Sequence, residues 1–152
     1  MQSENNTLLN KSFSIHFFKN GFSFCTSNSV EFFSHSSDIN EFENSIKNFL
    51  DKEHNKFEYL SIIFFQNPST LIPSVFFDVN RLDDYLSYYF KKPETEIIIY
   101  DDLKKIDKTN IYSIPVELYR MIRKIDIDFN FFHYNSLLIK KVLNLGSNEK
   151  FS

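Results

Sequence analysis

Alternation of apolar and polar residues is strongest from Lys11 to Asn28, KSFSIHFFKNGFSFCTSN, in two short runs that meet at Asn20-Gly21. Alternation with a period of two marks a half-buried strand. Asn-Gly between two such runs marks a hairpin, because both residues tolerate the positive φ of a type I′ turn. With Asn20 and Gly21 at the centre of the turn, Lys19 pairs with Phe22, Phe17 with Phe24, Ile15 with Thr26 and Phe13 with Asn28. One face then carries Phe13, Ile15, Phe17, Phe22 and Phe24, which is a core face. The other sets His16 against Cys25, Phe18 against Ser23 and Ser14 against Ser27. Val30 to His35 continues as a third strand, giving an antiparallel three-stranded meander.

Helical periodicity takes over next. Asp38 with Glu41 is a capping-box-like start, and Ile39, Phe42, Ile46, Phe49 and Leu50 recur at helical spacing as far as about His54. The continuous apolar run Phe57–Phe65 reads as a strand covered on both faces. A short extended piece, Thr70–Pro73, leads to a helix over Val79–Lys91, capped by Asp78 or Asn80, with Leu82, Tyr85, Leu86 and Tyr89 on its buried stripe. Glu96–Tyr100 and Asn110–Ser113 read as strands around a charged loop. Pro115 opens a helix that buries Val116, Tyr119, Met121 and Ile122. Asp128–Tyr134 is a last strand. In the last helix, capped by Asn135 or Ser136, Leu138, Ile139, Val142 and Leu143 pack before Gly146 stops it. This order predicts an α/β fold of the ribonuclease H-like kind, on which each lobe of actin-like ATPases is built: a mixed sheet that starts with the meander, with helices on both faces. It predicts a flexible N-terminus over 1–10, a single domain over 11–146 and a flexible tail over 147–152.

Composition narrows the functional classes. The 152 residues are 42% hydrophobic, enough for a core, and carry a net charge of −3 with signs interspersed, which disfavours nucleic acid as a partner. The abundance of Phe, with 19, goes together with many Asn, Lys and Ile, the mark of an AT-rich coding bias, so Phe number alone does not argue for ligand stacking. The first residues lack a basic segment followed by an apolar run, and no stretch reaches the about 18 apolar residues of a membrane span. The expectation is a cytoplasmic protein without membrane insertion. The single cysteine, Cys25, fits a reducing compartment.

Three segments carry a family likeness: SFSIHFFKNGFSFCTSNS, LIPSVFFDVNRLDDYLSYYF, and NIYSIPVELYRMIRK with FFHYNSLLIKKVL. They resemble domain of unknown function 3822 of the Bacteroidota, a family that looks like a relative of the actin-like PilM proteins of type IV pilus assembly. The resemblance covers Lys11 to Leu145 and implies the first of two actin-like lobes. In such proteins a nucleotide lies between the lobes, and the first hairpin turn is an Asp-x-Gly phosphate loop.

At that position the sequence has Phe18-Lys19-Asn20-Gly21-Phe22, without an acid and with one glycine. With Gly21 and Gly146 the only glycines, neither a Walker-type nor a dinucleotide loop can be written. A two-metal nuclease needs a carboxylate on the first strand, which has none, and Asp78, Asp83, Asp84, Asp101 and Asp102 read as caps or loop acids. His16 beside Cys25 is the one nucleophile-and-base pair the pattern offers, and it has no third orienting group. His35, His54 and His133 show no ligand spacing. No catalytic residue, cofactor or metal is expected. The reading is a degenerate, non-enzymatic actin-like domain acting as a scaffold with a protein partner or a second copy. The alternative is an actin-like ATPase whose site is completed by a second lobe or a dimer partner. Phe76, Phe77, Phe131, Phe132 and Tyr134 are the candidate interaction surface.

Overall fold

The computed structural model describes residues 12–34, 39–52, 57–88 and 90–149. They form eight strands in two sheets. The predicted N-terminal segment 1–10, the cap at Asp38 and the side chain of Tyr89 lie outside the described residues. Where the sequence pattern suggests one body over 11–146, the chain divides into two compact units, Met1–Gln66 with Glu117–Phe131, and Asn67–Val116 with Phe132–Ser152.

The first unit is built on β1 (Ser12–Phe18), β2 (Gly21–Cys25), β3 (Val30–Ser34), β4 (Tyr59–Phe64) and β8 (Asp128–His133) as far as Phe131, in the order β3-β2-β1-β4-β8. β1 and β2 are antiparallel, as are β2 and β3, whereas β4 lies parallel to β1, so the sheet is mixed. The crossover from β3 to β4 is made by α1 (Ile39–Lys52), the connection a parallel pair requires.

The hairpin register differs from the expected one by two residues. Phe17 pairs with Phe22, Ile15 with Phe24 and Phe18 with Gly21, so the turn is Lys19-Asn20 rather than Asn20-Gly21. Neither turn residue has a positive φ, which rules out type I′. The reason lies in β3. A Cβ on Gly21 would sit 2.1 Å from the Phe33 carbonyl oxygen, so the glycine is consumed by close strand packing and the turn forms before it. Because the shift is even, every side chain keeps its face. Phe13, Ile15, Phe22 and Phe24 are buried, as expected, and Phe17 is half-buried.

On that face Phe42 of α1 meets Phe22 at 4.6 Å and Phe17 at 5.0 Å between ring centroids, and Phe49 meets Phe24 at 4.5 Å. Burial in β4 alternates, with Leu60, Ile62 and Phe64 buried and Tyr59, Ser61 and Ile63 half-buried, so this strand is not equally covered on both sides. The helix α3 (Val116–Ile122) buries Leu118, Met121 and Ile122, and its Tyr119 stacks on Phe131, which touches Phe64. Both helices thus cover the same face of this sheet, whereas the sequence pattern suggests helices on both.

The second unit contains β5 (Ser69–Pro73), β6 (Glu96–Leu103) and β7 (Lys108–Pro115), all antiparallel with β7 central. The predicted helix over Val79–Lys91 is a 3-10 turn, Val79–Arg81, and then α2 (Leu82–Ser87). Asp78 caps the turn by accepting from the Asn80 amide at 2.9 Å. β6 and β7 run farther than the charge pattern suggests, leaving only Lys104–Ile106 and a left-handed Asp107 between them. The last helix, α4 (Tyr134–Glu149), passes through Gly146 instead of stopping there, so the expected tail from 147 is helical as far as Glu149.

Gly21→Ala forces a methyl against the backbone of the neighbouring strand. We expect a loss of about 1–3 kcal/mol, measured as a lower urea midpoint, and the variant is refuted as a packing defect by an unchanged midpoint.

Candidate functional site

The turn where a phosphate loop would stand is a closed feature of the first unit. Its Lys19 amide donates to Gln66 Oε1 at 2.8 Å, and Gly21 is packed beneath the Phe33 carbonyl. A phosphate-binding turn needs free amides directed at the anion and small residues that admit it. Here the turn amide is already used and the small residue serves β3.

On the sheet face away from α1, His16 Nδ1 lies 3.6 Å from Cys25 Sγ, and His16 Nε2 lies 2.8 Å from Ser14 Oγ. The corrected register sets His16 directly opposite Ser23, with Cys25 on the diagonal. Ser14 is the orienting group that the sequence pattern did not supply. It stands two residues before His16 on the same strand, and alternation puts the two on one face. The chemistry still favours a resting pair. Burial lowers the His16 pKa, which disfavours the imidazolium formed on taking the thiol proton, and the Ser14 hydroxyl brings no charge to stabilise it.

The five aromatic candidates are divided between the two units. Phe131 belongs to the first unit and is held among Phe64, Tyr119 and Phe129 at 5.4–6.1 Å. In the second unit, Phe77 packs on Tyr100 at 4.8 Å and toward Tyr85, and Lys140 Nζ stands 5.5 Å over the ring of Phe132. Phe76 is the one strongly exposed ring of the five, at 70%, although Tyr85 Oη donates to its carbonyl. Tyr134 is 39% exposed at the start of α4.

Sequence reading missed a different exposure. Leu138 and Val142, expected in the core, are 45% and 58% exposed, and Leu145 is 56% exposed. A polar group near the start of α4 is buried instead: Ser136 is 0% exposed and receives Asn110 Nδ2 at 2.9 Å.

Asp101 likewise is not a loop acid. It sits within β6, 6% exposed, where Oδ1 accepts from Tyr112 Oη at 3.0 Å and Oδ2 from the His133 amide at 2.8 Å, with Ser136 as a further donor. Burial pushes its pKa up, and the three donors offset part of that rise. Burial above all, and then the Asp101 charge, push the Tyr112 hydroxyl up, so it remains a proton donor. The His133 ring is used at both nitrogens: Nε2 donates to the Asn67 carbonyl at 2.8 Å and Nδ1 accepts from the Asn135 amide at 3.1 Å. The network ties β6, β7 and the start of α4 together. Asp101, Tyr112, His133 and Ser136 are buried and bonded, while Asn110 Oδ1, beside Ser136, is buried without a partner among the described residues; this is a structural network rather than an open reaction centre.

Among the described residues no group of three or more His, Cys, Asp or Glu could hold a metal ion, and no helix is long and apolar enough to cross a membrane. The fold is a mixed α/β arrangement. It is shared with a crystal structure, at 1.85 Å resolution, of a Bacteroides thetaiotaomicron protein of actin-like ATPase fold and unknown function, at TM-score 0.67 and 20% identity. That match covers 91% of this chain and 58% of the other protein, so the chain spans less than two thirds of its length. The chain belongs to the family described as protein of unknown function (DUF3822), whose pattern matches residues 2–152. No curated protein matches it.

Tyr112→Phe removes one donor from ionised Asp101. At neutral pH it should cost about 1–3 kcal/mol. A carboxyl whose folded pKa is raised loses its contribution to stability as pH rises through that value, and the variant raises it further. The difference between variant and wild type should therefore shrink as pH falls through the raised folded-state values, above the ordinary 3.8, and be smallest at and below 3.8, in urea titrations across pH. A difference independent of pH would show that Asp101 is not the group involved.

Proposed function

We propose that this chain is a non-enzymatic, degenerate actin-like domain that serves as a cytoplasmic protein-interaction scaffold. The observation that carries the reading is the β1–β2 turn: no carboxylate, one glycine given over to strand packing, and a turn amide bonded to Gln66. An ATPase relies on such a turn to orient metal-bound water and to receive phosphate oxygens. Within the same reading the chain is a ribonuclease H-like lobe with kinship to the actin-like PilM proteins, from a member of the Bacteroidota.

The second reading is an actin-like ATPase whose site is completed by another lobe or a dimer partner. It is favoured by the fold shared with a protein described as having an actin-like ATPase fold. Calorimetric titration of Mg-ATP separates the two. We expect no saturable heat, either with this chain or with a longer one carrying any further lobe. Micromolar binding, or ATP turnover that disappears when Lys19-Asn20 is deleted, overturns the scaffold reading in favour of the ATPase.

A further inference from the structure

α4 is apolar on two opposite sides. At about 100° per residue, Val142 and Leu145 fall within roughly 40° of Leu138, while buried Ser136 lies on the far side. Ser136 and the half-buried Leu143 hold the inner side against the second unit, and Leu138, Val142 and Leu145 form an exposed seam. A helix that is apolar on both sides is built to be covered twice.

Charge restricts what covers it. Lys141 borders the seam about 60° from Leu138, by the same helical geometry. Farther round on that side, Asn144 receives Lys105 Nζ at 2.6 Å. A groove of about 260 Å³ lies there between Lys104, Lys105 and the Lys140–Asn144 stretch of α4, with Asp102 the one acid lining it. The seam thus has a basic flank. A second copy packed antiparallel about a two-fold axis would set that lysine flank against itself, which is unfavourable.

We propose that the outer side of α4 docks an amphipathic helix of another protein, with its apolar residues on Leu138, Val142 and Leu145 and its flanking carboxylates toward Lys105 and Lys141. This rests on the scaffold reading and specifies its partner class. The probes are two labelled, stapled helical peptides with one leucine seam, flanked by Glu in one and by Lys in the other, titrated by fluorescence anisotropy into the full chain. The Glu-flanked peptide should bind saturably and more weakly as salt rises. Leu138→Glu with Val142→Glu should weaken it by about tenfold or more, with the melting temperature retained because both sites are exposed. Lys105→Glu with Lys141→Glu should transfer the preference to the Lys-flanked peptide, an exchange that a merely unfolded variant cannot show. Equal binding of both peptides, or binding of neither, overturns the partner class. So does wild-type binding to phosphatidylserine vesicles in preference to the Glu-flanked peptide, or a dimer in sedimentation that Val142→Glu abolishes. Each of these leaves the scaffold reading standing, which falls only to the nucleotide titration.

Discussion

The five-stranded unit depends on the interlock of phenylalanine rings between its first strand pair and α1. Phe13, Phe17, Phe22 and Phe24 offer a continuous aromatic face, and Phe42 and Phe49 enter it at centroid distances of 4.5–5.6 Å. Offset and edge-on ring pairs add to the free energy of burial, and large rings fill the space between a twisted sheet and a helix. The parallel addition of β4 follows from it: once α1 is seated on this face, the chain emerges where the next strand lies beside β1. In the three-stranded unit the corresponding role is polar. Asp101, Tyr112 and Ser136 join two strands to the start of α4 through directed bonds, which fix orientation more narrowly than apolar packing would.

Much of this was legible in the residues. Alternation assigned the faces of β1 and β2, and the spacing of Phe42, Ile46 and Phe49 found the buried side of α1. Asp78 was readable as a cap because a short acceptor before a helical run has few other uses. The type of the hairpin turn was not legible, since it depends on the Phe33 carbonyl passing over Gly21, a contact made by a strand farther along the chain. Asp101 was misread because an acid in a charged run, DDLKK, looks solvated; only the pairing of β6 with β7 reveals Tyr112 within reach. Gly146 was read as a stop from its type, yet nothing stands within 4 Å of the position its Cβ would occupy and the helix continues past it.

The candidate site was legible chiefly as a missing motif. The absence of an acid at the turn is a property of the sequence, whereas the bond from Lys19 to Gln66 and the splitting of the aromatic candidates between two units are properties of the fold. The exposed seam of α4 could not be found by periodicity, because a helix with two apolar sides gives a weak preference for either. Which side is buried was decided by Ser136, a small polar residue that hydropathy patterns discount.

The parity of the first hairpin decides which slips of its strands the core can tolerate. Phe17 faces the core whether it sits opposite Phe22 or Phe24, since moving a strand by two residues returns each side chain to its own side. Registers that differ by an even number of positions thus leave the aromatic interior untouched, while a slip of one strand by an odd number would turn Phe13, Ile15 and Phe17 outward together. A slip of the strand pair by two positions would thus relocate the turn while leaving the aromatic interior in place.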